Sequence, residues 1–110
     1  MAADERYVLA MVTVPTEELG ALIAWQLVSD KLAACVSRFK ISSTYKWAGE
    51  IRREDEELLL IKTTLGLFER LKEKVIELHS YEVPEIIVLP IIAGHRPYLD
   101  WITESVSREG

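Results

Sequence analysis

Between Arg38 and Trp47 the side chains alternate without a break. Phe39, Ile41, Ser43, Tyr45 and Trp47 fall on one side, and Arg38, Lys40, Ser42, Thr44 and Lys46 on the other. A period of two is the mark of a half-buried strand. After Trp47-Ala48-Gly49-Glu50 the chain returns through Ile51–Glu57 into Leu58–Thr63, so the stretch from Cys35 to Thr63 predicts one long hairpin. Ordinary strands run about five or six residues, and each arm reaches roughly twice that. The outer half, with Tyr45 and Trp47 on one face, should project beyond the core of its own chain and need another copy to cover it.

The remaining elements follow from the same kind of pattern. Tyr7–Val14 is nearly continuous apolar sequence ending at Pro15 and predicts a central strand buried on both faces. Thr16 stands at a helix N-cap, with Glu17 and Glu18 in the first turn favouring the positive end of the dipole. That helix should run to about Leu32 and turn Gly20, Ile23, Ala24, Leu27 and Val28 inward, leaving Leu22 and Trp25 partly exposed. Thr64 is expected to cap a second helix whose Phe68, Leu71, Val75 and Leu78 form one apolar stripe against a charged face. Both helices should lie on one side of the sheet. Ile86–Ile92 reads as a fourth strand, confined to a border by Pro90, and Pro97 opens a short last helix. The order β-α-β-β-α-β-α predicts an α+β, ferredoxin-like βαββαβ sandwich with an extra C-terminal helix. One domain is expected over residues 1–110, with 1–5 and 107–110 as frayed tails.

Composition narrows the function. The net charge of −5 disfavours a phosphate backbone or an anionic membrane surface as partner, so neither nucleic acid nor membrane is expected. The longest apolar run, Ile86–Ala93, is far below the roughly 20 residues of a membrane span. Cys35 is the single cysteine, which precludes an intrachain disulfide and points to a reducing, cytoplasmic setting. No glycine-rich phosphate loop, C-x-x-C pair or H-E-x-x-H motif is present, and no enzyme is predicted.

Candidate chemistry reduces to a few side chains. Cys35 starts the second strand and His79 ends the second helix, points that a ferredoxin-like layout can place at the same end of the sheet. A thiolate with an imidazole suits copper or zinc, or makes a nucleophile with its base. The plainer reading is a buried thiol and a histidine capping a helix C-terminus. Glu54-Asp55-Glu56-Glu57 is expected to be a solvated outer strand and His95 a surface loop residue. Tyr45, Trp47, Tyr81, Glu82, Pro84, Glu85, Tyr98 and Trp101 concentrate aromatic and acidic groups near the hairpin tip and loop ends, fitting either interface packing or a pocket between subunits.

Five segments in order, Leu32–Val36, Tyr45–Ile51, Lys62–Thr64, His79–Ile86 and Tyr98–Ile102, resemble the successive motifs of the CutA divalent-cation tolerance proteins. The resemblance implies a fold related to the PII signalling proteins and a tight homotrimer whose hairpins pair across subunits. It also implies a cytoplasmic role in tolerance of divalent cations, with copper binding in bacterial members and no catalytic reaction. Cys35, His79, Tyr45, Trp47, Tyr81, Pro84, Glu85, Tyr98 and Trp101 match the family's positions. Val12 and Leu78 stand where copper-binding relatives can carry a cysteine and a second histidine, and Ser37 and Ser80 replace the usual asparagine and proline. Cys35 and His79, with Glu85 as a third group, are therefore the expected metal ligands. The alternative is a PII-like sensor of a small molecule, held in the intersubunit pocket by Tyr45, Trp47, Tyr81, Glu82, Pro84, Tyr98 and Trp101.

Overall fold

The first strand, β1 (Tyr7–Val14), lies inside the sheet because it is flanked on both sides. The computed structural model describes residues 6–108, so the tail expected at 1–5 and the last two residues of the one expected at 107–110 lie outside the described residues, while Ser107 and Arg108 are tied to the Glu104 and Asp30 carbonyls. Helix α1 (Glu17–Ser29) follows β1, and the hairpin strands β2 (Cys35–Trp47) and β3 (Glu50–Thr64) come next. A single 3-10 turn, Leu65–Leu67, leads into α2 (Phe68–Leu78); β4 (Ile86–Pro90) and α3 (Arg96–Ser105) complete the chain. The sheet order is β2-β3-β1-β4 with every neighbour antiparallel, as the βαββαβ pattern requires. Pro90 ends β4, which among the described residues pairs only with β1, so the proline does sit at a border.

The register divides the sheet into two faces. Val8 opposite Thr63, Ala10 opposite Ile61 and Val12 opposite Leu59 point to one side, and all six are buried. Ile23 and Leu27 from α1 and Leu71 and Val75 from α2 join them in the core. Each such large side chain contributes about 1.5–3 kcal/mol by leaving water. The other face carries Leu9, Met11, Leu58 and Leu60 half-buried, with Phe39, Ile87 and Leu89 each 46% exposed. Helix α3 closes the end where β1 begins: Tyr7 Oη meets Thr103 Oγ1 at 2.6 Å, and Arg108 donates to the Asp30 carbonyl at 2.9 Å.

The hairpin turns on Ala48 and Gly49, both at positive φ (52° and 80°), a pair whose twist matches that of the flanking strands. Its arms stretch the molecule to 46 × 25 × 21 Å. At the tip Trp47 is 60% and Ile51 77% exposed.

Several local expectations change. Thr16 Oγ1 accepts from the Leu19 amide at 3.1 Å as a cap should, but α1 stops at Ser29 rather than Leu32. Lys31 adopts φ 58°, and the Lys31 and Leu32 amides fold back to the Val28 and Leu27 carbonyls at 3.1 and 2.9 Å. This is a helix stop normally made by glycine. Val28 is 44% exposed rather than inward. Thr64 makes no side-chain cap bond, because the 3-10 turn comes before α2. Strand β4 ends at Pro90 rather than Ile92.

Candidate functional site

His79 closes α2 and faces the end of β1. The last β4 partner of β1 is Ile86, opposite Val12. One residue further, the Thr13 carbonyl bonds to His79 Nε2 at 2.7 Å instead. The Tyr81 amide donates to His79 Nδ1 at 3.0 Å, so Nδ1 is the acceptor and Nε2 carries the hydrogen. The imidazole is buried and fully employed as a bridge between the helix end and the strand. It does not act as a cation at the helix terminus.

From this bridge a row of tyrosine–carboxylate pairs runs along the less covered face. The Tyr81 ring lies 4.8 Å from His79, and its hydroxyl donates to Glu56 Oε2 at 3.0 Å. Tyr45 donates to Glu54 Oε1 two residues along β3. Burial, then the bond to Glu56, pushes the Tyr81 phenol up to about 12. Tyr45 is raised by its bond to Glu54 first and by burial second.

Cys35 has different company. It is half-buried, with Lys62 Nζ at 3.8 Å from Sγ; the same ammonium donates to Ser37 Oγ at 2.6 Å. Tyr98 reaches this spot, and its phenol is raised by burial first and by Cys35 second. The Trp101 ring packs on Tyr98 at 5.4 Å.

The register separates the two expected ligands within one chain. Cys35 pairs with Lys62, which pairs with Leu9, whereas His79 is tied to Thr13, four residues further along β1. That is about 13 Å along the strand, with another ~10 Å for the two strands crossed between Cys35 and β1. The expectation of a shared sheet end fails because β2 enters beside the start of β1, while α2 ends beside its finish. Glu85, exposed, precedes β4 and so lies at the His79 end. Among the described residues no three His, Cys, Asp or Glu side chains converge as an ion site. One chain therefore does not fit a metal at Cys35, His79 and Glu85, nor does it pair a thiol with an imidazole base. The pocket residues likewise divide: Tyr45 and Tyr81 belong to the carboxylate row, Tyr98 and Trp101 to the Cys35 end, Trp47 to the tip, and Glu82 and Pro84 to the loop before β4.

The acidic stretch held one residue that sequence reasoning misplaced. Glu57 is buried, not solvated: Arg38 Nη1 meets its Oε1 at 2.6 Å and also donates to the Glu17 carbonyl at 3.3 Å. Gly20 makes room, since a Cβ there would collide with the Glu57 carboxylate. A glycine inside a helix pattern was the available signal.

Comparison with known proteins bears on this arrangement. The family described as CutA1 divalent ion tolerance protein matches residues 8–105. The Divalent-cation tolerance protein CutA of Thermus thermophilus is 49% identical over 98 residues, covering 88% of this chain and 95% of that protein. Human Protein CutA is 44% identical over 102 residues, 89% of this chain; the chain spans only 57% of its length. Among solved structures, CutA1 from Oryza sativa superposes with a TM-score of 0.91 at 42% identity, covering 99% of this chain and 100% of that one. A periplasmic divalent cation tolerance protein CutA from Archaeoglobus fulgidus also gives 0.91, at 37% identity over 92% of this chain and 99% of that one. Among the described residues no helix is long and apolar enough to cross a membrane.

Proposed function

Since this chain belongs to the CutA1 divalent ion tolerance protein family, we propose that it acts as a homotrimer in the cell's response to divalent cations. Contact between copies, in this reading, brings together what one chain keeps apart. The observation that carries it is the apolar sheet face around Phe39, Ile87 and Leu89, with the bare hairpin tip beyond. A single chain leaves both in water, and an apolar area of this kind marks an interaction surface. Cys35 of one copy then supplies the soft donor for copper or zinc, with His79 and Glu85 supplied by a neighbour. His79 must release the Tyr81 amide to take part. The intersubunit pocket expected from Tyr45, Trp47, Tyr81, Glu82, Pro84, Tyr98 and Trp101 closes in the same contact. The lone thiol supports a cytoplasmic location, which cell fractionation checks.

Sedimentation equilibrium combined with Cu²⁺ titration calorimetry tests both halves. A trimer whose copper binding is lost in Cys35→Ala, and weakened in His79→Ala, is the expected result. A monomer at micromolar concentration defeats the whole reading; a trimer that binds copper equally well without Cys35 and His79 defeats the ligand assignment alone.

A further inference from the structure

On the helix side of the molecule, away from the apolar sheet face, the end of α1, one flank of α2 and Arg108 line an open cleft of about 490 Å³. The walls are charged, and the charges are unequally matched. The Asp30 carboxylate takes both oxygens' bonds from the Gln26 amide at 3.1 Å and lies 3.9 Å from Lys74. Lys74 in turn meets Glu77 at 3.2 Å. The other two cations are less occupied: Arg108 gives one N–H to the neutral Asp30 carbonyl, and Arg70 has no partner among the described residues.

We propose that this cleft binds a small ligand through a single oxyanion, phosphate or carboxylate, held between Arg70 and Arg108. A guanidinium presents paired N–H groups that match two oxygens of such an anion, and two of them line this one cleft. Capping the end of α1, which has no basic residue in its last turn, explains one N–H of Arg108 and leaves the rest of its fork without a partner among the described residues. Asp30, Glu73 and Glu77 line the same cleft and set the limit on charge. A polyphosphate or a nucleic-acid backbone would meet these three carboxylates at close range, whereas an ammonium on the ligand would find acceptors in them. The class that fits is a compact zwitterion, an amino acid or a phosphorylated amine. This inference stands apart from the trimer and the ion site, since it uses neither the apolar face nor Cys35.

Amide NMR of the full chain, titrated separately with inorganic phosphate, acetate, β-alanine and phosphoethanolamine, tests it. Saturable shifts are expected at residues 29–32 and 70–77, with a zwitterion binding more tightly than its bare anion. The phosphate and acetate arms decide between the two oxyanions. Arg70→Gln should weaken binding at least about tenfold, the worth of one charge-assisted hydrogen bond, with the melting temperature unchanged. Arg70→Lys, which keeps the charge and loses the fork, should fall between. The absence of saturable shifts with all four probes, or binding that survives Arg70→Gln intact, overturns the proposal.

Discussion

Replacing Arg38 by methionine is the most informative single change to the core, because it removes one partner of the Glu57 pair and, besides that, only the longer 3.3 Å bond to the Glu17 carbonyl. The Glu57 side chain is 7% exposed and Arg38 33%, with Nη1 and Oε1 at 2.6 Å. Stripping one partner from a fully buried pair costs about 3–5 kcal/mol, whereas exposed pairs are worth ~0.2–1 kcal/mol. Water reaches a third of Arg38, so its loss belongs between these limits, at about 2 kcal/mol. For a chain of this length that lowers the melting temperature by roughly 8 °C. The double variant Arg38→Met, Glu57→Leu should regain most of the loss, since an apolar pair of similar volume leaves no charge stranded under α1. Urea unfolding of both variants, at one fixed protomer concentration so that assembly does not distort the comparison, supplies the two free energies. A single variant within about 0.5 kcal/mol of wild type, or a double variant no better than the single, would show that Glu57 is solvated in fact and that the argument from burial is wrong.

Other outcomes follow from the same geometry. Lys31→Gly should stabilise the chain by about 0.5–1 kcal/mol in thermal melts, because φ 58° strains any residue with a Cβ; a lower melting temperature would count against a strained stop. His79→Ala strands the Thr13 carbonyl and the Tyr81 amide, and should cost about 2–3 kcal/mol in urea unfolding. Tyr81 should ionise near pH 12 in the folded protein against an ordinary value of 10.0. The sign is that of an acid whose charged form is disfavoured by folding: its share of stability is complete below pH 10 and is lost as the pH climbs toward 12. Phenolate absorbance reads the titration, and Glu56→Gln should move it only part of the way back, because burial is the larger cause.

The parts of the fold legible in the sequence are those fixed by neighbours along the chain. The period of two in β2, the Thr16 cap and the apolar stripe of α2 each need only a few adjacent residues, and each is found. Lys31 and Glu57 were not legible. Lys31 takes a conformation that glycine usually fills, held there because Leu32 must turn into the core. Glu57 looks like one more charge in an acidic run, until the register places it on the helix-facing side opposite Val14 and Arg38 reaches it from the next strand. The same limit governs the candidate site. Composition singled out Cys35, His79 and the tyrosines, but their distribution depends on which strand enters beside which end of β1. That is a matter of pairing, invisible to any local pattern. The bonds Tyr81–Glu56 and Tyr45–Glu54 join residues 25 and 9 positions apart for the same reason.

Strand β2 lies at the rim of the sheet and, among the described residues, pairs only with β3, so along its 13 residues the outward amides and carbonyls have no described strand of the same chain beside them. A polypeptide fresh from the ribosome therefore carries an open seam for as long as it travels alone. In the proposed homotrimer, how long that lasts is set by how fast sister chains are made. Slow synthesis should lengthen exposure to proteases and to mispairing along the rim, and soluble yield should rise more steeply than in proportion to the rate of translation.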